Sequence, residues 1–388
     1  MLFEEKPLLD LKTDDCLWSL GKIFRILVHN RIIVFMQRKI LFVLTILVII
    51  QTYLFLKESS AVYFIKYMVV YLSSFFFLAS LYSTSTIGKR IFDDIQTAKL
   101  WKLRCESSEI QRQIEKEAFY TNACFILCLT FSQICAILFI IPFEKDEEFF
   151  YFLALYQHLT PRWRSFWGWN FRIGSLFIGI ICLAPCYALI YLMTHSRFQY
   201  LLLLHHFKNL NWGYENSHLY QLIRNLDYQG EIQRRLKFCI KRHVCINKIV
   251  FSVKRQIHGF ICVFTLAGVV LFISIIVFFY SYEGALKTQY VRIICLGIPG
   301  GLTWIHIVTA GQLLENVTSE ILSVLKTVNW ESWNKENRNT FIVILQNAQK
   351  DLKMKFSEDM SVNFALGVSM TRALFSAMSI IRQLRNMD

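Results

Sequence analysis

Cys239 and His243, in "LKFCIKRHVCINKIV", are four residues apart, so on a helix they share a face and could grip one metal ion. No further ligand stands nearby, and two donors do not make a structural metal site, so the pair reads as packing. His205 and His206 are adjacent, which on a helix turns them about 100° apart, a poor ligand geometry. The glycines of "GIPGG", Gly297, Gly300 and Gly301, fall inside an apolar run. A bend or a close helix approach is expected there in place of phosphate binding. Asn316-Val317-Thr318 is a glycosylation sequon. There is no Walker loop, no G-x-S-x-G elbow, no H-E-x-x-H and no pair of C-x-x-C motifs. Neither an enzyme nor a cofactor or metal site is expected.

The other unusual chemistry is polarity inside an apolar helix. The chain closes on "SAMSIIRQL", Ser376 to Leu384, with Arg372 shortly before it. Ser376, Ile380 and Leu384 recur every four residues and share one face, with Gln383 beside it. Rings of Ile380 and Leu384 around an axis would be too apolar for water and ions, a gate by dewetting, with Ser376 and Gln383 on the wetted path or reaching a neighbouring subunit. The rival reading is a lipid anchor whose polar end meets the interface. Arg372 is too costly to lie wholly in lipid, so one side of this helix faces protein or water.

These residues need membrane helices to carry them. Of 388 residues, 55% are hydrophobic, 34 are Phe and only 18% are charged, too little polar surface for a soluble domain of this size. The net charge of +14 is interleaved with apolar runs, which excludes a nucleic-acid surface and leaves membrane lipid as the partner. Apolar segments near 38–57, 61–85, 120–142, 173–195, 257–282, 289–313 and 359–384 approach or exceed a bilayer-spanning length. The segments 1–39, 86–119, 196–256 and 314–358 hold about 31 Lys and Arg, against about five in the others, which predicts a cytoplasmic N-terminus and, with seven spans, an extracellular C-terminus. The expected fold is all-α, a polytopic membrane protein with seven transmembrane helices and a cytoplasmic helical anchor region. Residues 1–388 form one domain: 1–37 is the cytoplasmic N-terminus, 196–256 a second intracellular loop with a helix extension, and 314–358 a cytoplasmic anchor helix with Phe341, Ile344 and Leu345 on one side.

Three stretches together resemble the insect odorant receptor family. "LKFCIKRHVCINKIV" is similar to its Leu, Cys and His pattern before the fifth span, through Leu236, Cys239 and His243. In the segment after the sixth span, Gly311, Thr318, Trp330 and Gln349-Lys350 fall at the family's intervals. "SAMSIIRQL" resembles the closing motif through Ser376, Ile381, Arg382 and Gln383, with Ala377 and Met378 in place of two aromatics. The resemblance implies a tetrameric, odorant-gated, non-selective cation channel of the plasma membrane. Its pore is lined by the last helix (359–384), and the odorant co-receptor completes a heterotetramer. It implies an odorant pocket in the outer halves of the second, third, fourth and sixth spans. Those halves contain Tyr63, Tyr67 and Tyr71; Phe131, Ser132 and Cys135; Phe177; and Ile294. Apolar walls with a few hydroxyls suit a small volatile odorant. Trp330, Phe341, Ile344, Leu345 and Gln349 are the implied anchor and interface residues. A gustatory receptor channel for a non-volatile tastant is the nearest alternative. A G-protein-coupled receptor needs the opposite orientation, and a transporter would show paired halves, which the chain lacks.

Overall fold

Long apolar runs in lipid can satisfy their backbone groups only within helices, and the described chain is almost wholly helical. The computed structural model describes residues 9–10, 14–58, 61–98, 100–103, 108–143, 146, 161–214, 218–281, 287–349, 353–355 and 361–385. Lys355 and Ser361 form an isolated antiparallel bridge.

Eleven described helices follow in order: α1 (Trp18–His29), α2 (Arg31–Glu58), α3 (Ala61–Ser83), α4 (Lys89–Thr97), α5 (Ser108–Ile140), α6 (Arg164–Lys208), α7 (Leu219–Arg224), α8 (Leu226–Ser281), α9 (Lys287–Thr327), α10 (Lys335–Ala348) and α11 (Phe364–Arg385). A π-helical turn at Thr84–Gly88 joins α3 to α4. Among the described residues five stretches are long and apolar enough to cross a membrane: Arg31–Leu54, Tyr67–Thr97, Ser108–Ile140, Arg172–Lys208 and Tyr290–Thr327. Val263–Phe278 in α8 and Phe364–Ile380 in α11 are shorter apolar stretches at the places of the fifth and seventh expected spans.

The core is a triangle of α5, α6 and α9, with α3 between α6 and α8 and α2 on its outer side. From Leu183 to Leu204 almost every residue of α6 is buried, as expected of a helix surrounded by others. The helix does not stop at residue 195, where the sequence pattern put the end of a span; it runs on to Lys208. Arg197 and Gln199, which look like loop residues in sequence, are buried there by partners distant in the chain. Arg197 grips both Glu117 oxygens at 2.6 and 2.7 Å and donates to the Leu313 carbonyl at 2.6 Å. Gln199 exchanges two hydrogen bonds with the Trp101 backbone, and Arg242 both donates to Gln199 and stacks on the Trp101 ring. Asp15 ties the start of α1 to α6 through Tyr191 at 2.7 Å and His195 at 3.1 Å. Burial pushes that carboxyl up, but these two donors outweigh it and hold Asp15 below its ordinary range.

The anchor region closes around Trp333. Its indole N–H donates to Asn211 and to the Tyr228 hydroxyl, which meets Ser332. Gln229 donates to the Ser332 carbonyl and receives the Asn334 N–H, while Asn334 caps α10 by accepting from the Asn337 N–H. Phe341 and Ile344 are buried against this group, and Leu345 is half-buried. Trp330, the tryptophan that the family spacing singles out, is 42% exposed and stacks only on Arg338, whereas Trp333 is 1% exposed. Gln349 is exposed at the end of α10. Near the bundle, Cys239 is fully buried, and the His243 ring meets Asn247 at 3.2 Å. Burial pushes that imidazole down to about 4, so it is neutral near pH 7.

Trp333→Ala should cost about 3–5 kcal/mol, the scale for emptying a buried aromatic site. Trp330→Ala should cost under about 1 kcal/mol, as an exposed substitution. Thermal unfolding of the purified protein in detergent compares the two, and equal midpoints would contradict the placement of the anchor on Trp333.

Candidate functional site

The start of α11 is seated on α9. A Cβ at Gly311 would overlap the Val362 carbonyl oxygen, so the two backbones can meet only because this residue is Gly. Val362 is held in turn by its N–H to the Met354 carbonyl at 2.7 Å. Gln312 accepts the Phe364 N–H at 3.2 Å, and Asn363 accepts the Leu366 N–H at 3.2 Å, so two side chains cap α11. Glu315, one turn below Gly311, receives Asn363 at 3.0 Å and Lys353 at 2.9 Å. Gly367 lies against Val308, extending the close fit.

Beyond that seat the helix has two unlike sides. Leu366, Met370, Leu374 and Met378, four apart, turn toward the protomer and are buried or half-buried. Ser369, Arg372, Ser376, Ile380 and Gln383 fall within an arc of about 80° on the opposite side and are all exposed, Ile380 to 57%. Ser376, Ile380 and Gln383 are the residues that the sequence reading expects to line a pore. The side chain of Leu384 lies outside the described residues.

At the far end of the same α9, a charged cluster sits in the interior. Arg292 is fully buried, pairs with Asp146 at 2.6 Å, donates to the Leu138 and Ile141 carbonyls, and lies over the Phe143 ring. Arg172 of α6 reaches the other Asp146 oxygen at 3.4 Å. One carboxylate therefore joins the chain after α5 to α6 and α9. A buried charge left without its partner is strongly unfavourable, so removing either member loosens all three. Sequence reading missed this cluster, because Asp146 lies among several acids and nothing local marks its partner.

The expected pocket residues divide. Ser132 and Cys135 are buried where α5 meets α6 and α9, Ser132 against Gly179 and Cys135 with its thiol toward the Arg292 carbonyl. Phe131 is half-buried beside them in sequence. Tyr71 bonds Thr52 of α2 at 2.8 Å and packs edge-on to Phe75; Tyr67, one turn earlier, is half-buried. Phe177 and Ile294 are 57% and 56% exposed on the outside of the bundle. The side chain of Tyr63 lies outside the described residues. Between these places and the seat of α11, the Tyr187 hydroxyl meets His306 at 3.4 Å and Cys124 at 4.0 Å.

Two other features carry less. A groove of about 340 Å³ opens between α5, α6 and α9, but the Arg197 and Lys208 on its wall are already paired with Glu117 and Glu320. A Cβ at Gly297, Gly300 or Gly301 meets nothing within 4 Å, so no close helix approach within the protomer occurs there, and α9 continues through Pro299.

No protein-family model matches the chain, and no curated protein sequence does. Solved structures do. That of the insect olfactory receptor OR5 from Machilis hrabei is 10% identical, with a TM-score of 0.56, over 81% of this chain and 80% of that one. The same receptor in complex with eugenol gives 0.53 at 11% identity over the same shares. The chain has the fold of an insect olfactory receptor. That fold accords with the five helices among the described residues that are long and apolar enough to cross a membrane.

Gly311→Ala should cost about 1–3 kcal/mol by forcing the seat apart. Gly300→Ala, with open space around it, should be neutral or stabilise by up to about 1 kcal/mol, because Ala is the better helix former. Melting curves of the two variants give the comparison; a Gly311→Ala protein as stable as its parent would mean that α11 is not held at this contact.

Proposed function

We propose that this chain is a ligand-tuned subunit of an odorant-gated, non-selective cation channel. In this reading it crosses the plasma membrane seven times, with a cytoplasmic N-terminus and an extracellular C-terminus. The fifth and seventh spans are then the apolar parts of α8 and α11, and the basic segments lie in the cytoplasm. It assembles as a tetramer with the odorant co-receptor, and α11 of each protomer faces the central axis.

The observation that carries the reading is the free stripe Ser369–Gln383 on the last helix of this fold. A lone lipid-facing helix has no use for Arg372, Ser376 and Gln383 in register on one side. Around an axis, Ile380 and its neighbour Leu384 supply the dewetting constriction, and Ser376 and Gln383 the wetted flanks. Assembly is supported by α10, whose buried Phe341 and Ile344 are matched by exposed Ile342 and Val343, an apolar outer face suited to another subunit. A small, largely apolar volatile is the ligand class that Ser132, Cys135 and the Tyr67–Tyr71 face favour, since apolar walls with few hydroxyls recognise little else. α9 spans both regions, from the Arg292 cluster to the seat of α11, and transmits a shift at one end to the other.

The test is current evoked by an odorant panel in cells that express the chain with and without the co-receptor; silence under both conditions, despite surface expression, would count against the reading. Ile380→Ala should raise basal current or alter ion permeability, because a smaller side chain wets the constriction. Unchanged leak and permeability would remove Ile380 from the gate. Tyr67→Ala should shift odorant potency by about tenfold or more, the scale of one lost aromatic contact of roughly 1.4 kcal/mol, with surface expression kept. A superimposable dose–response curve would take Tyr67 out of the pocket.

A further inference from the structure

The exposed stripe of α11 carries a charge of the wrong sign for an easy cation path. The helix contains no Asp or Glu, and its charged residues are Arg372, Arg382 and Arg385. Arg372 is exposed, on the same side as Ser369 below it and Ser376 above it. It ion-pairs with no carboxylate among the described residues. The nearest acid at the seat, Glu315, already holds Lys353 and Asn363. Resting on the reading of α11 as the pore helix, we propose that Arg372 forms a positive ring that lowers divalent relative to monovalent permeation in a channel that passes both.

The physical basis is simple electrostatics. Arg372 precedes Ile380 by two helical turns, so its ring lies about 12 Å along the axis from the constriction. That separation exceeds the Debye length of about 8 Å at physiological salt, so the ring acts locally, on ions passing it, and leaves the gate itself to Ile380. Repulsion scales with ionic charge, so Ca²⁺ meets twice the barrier that Na⁺ meets at the same place. Each copy of this chain in the tetramer adds one charge, so selectivity follows subunit composition.

The experiment measures reversal potentials of basal or odorant-evoked current under bi-ionic Ca²⁺ and Na⁺, for the parent, Arg372→Gln and Arg372→Lys. Arg372→Gln should raise the Ca²⁺ to Na⁺ permeability ratio by about two- to fivefold, the range expected for a screened ring of charges in water. Arg372→Lys keeps the charge and should keep the parent ratio. Arg372 is exposed, so neither change disturbs packing. A parallel arm applies a cationic methanethiosulfonate reagent to Ser376→Cys, with the parent as control. If the reagent alters the Ser376→Cys current but Arg372→Gln keeps the parent ratio, the pore helix stands and the charge filter is overturned. If Ser376→Cys current is indifferent to the reagent, the pore reading fails, and the filter with it.

Discussion

The contact of Gly311 with the Val362 carbonyl sets where the last helix begins and which way it turns. Any side chain at residue 311 would occupy the same space as that oxygen. Because the backbones touch, Gln312 comes within reach of the Phe364 amide, and Glu315 holds Asn363, the residue that caps the Leu366 amide. An isolated helix leaves its first amides unpaired, and α11 instead begins with one amide on Gln312 of α9 and another on Asn363. The rotation of α11 is then fixed: Leu366, Met370, Leu374 and Met378 face inward, and the polar stripe faces away.

α9 links this seat to the rest of the molecule. Over 41 residues it passes from the buried Arg292–Asp146 pair, past His306 and Tyr187, to the seat and then toward the Trp333 anchor. At 1.5 Å per residue such a helix is about 60 Å long. Its two ends differ in kind. The Arg292 end is held by charge in a dry interior, where loss of one partner is severe. The α11 end is held by close backbone packing and a few hydrogen bonds, each worth about 1 kcal/mol. Movement is therefore cheaper at the seat than at the cluster.

Much of this was legible from residue order, for physical reasons. Long apolar runs admit only helices in lipid, so all-α character followed from composition. That Ser376, Ile380 and Gln383 share a face follows from their spacing, because helical periodicity maps directly onto a face. Contacts between distant segments were not legible. Asp146 and Arg292 are far apart in the chain, and so are Glu117 and Arg197, and no local pattern announces either pair. The run of α6 past the apolar stretch to Lys208 was not legible, because the partners that bury Arg197 and Gln199 are distant in the chain. Trp330 drew attention by its interval, while Trp333, three residues on, faces the opposite way and fills the core. The eight expected pocket residues were chosen by depth along their helices, and depth does not say which way a side chain points; hence Ser132 is interior and Phe177 exterior.

The most direct measurement is cryo-electron microscopy of the purified protein in lipid nanodiscs. The expected map has the last helices of neighbouring protomers converging on one axis, with Ile380 and Gln383 turned toward it and a water-filled route on either side of the Ile380 ring. A map in which those helices stand apart, with the Ser376 side against acyl chains and no conduit between protomers, would contradict it.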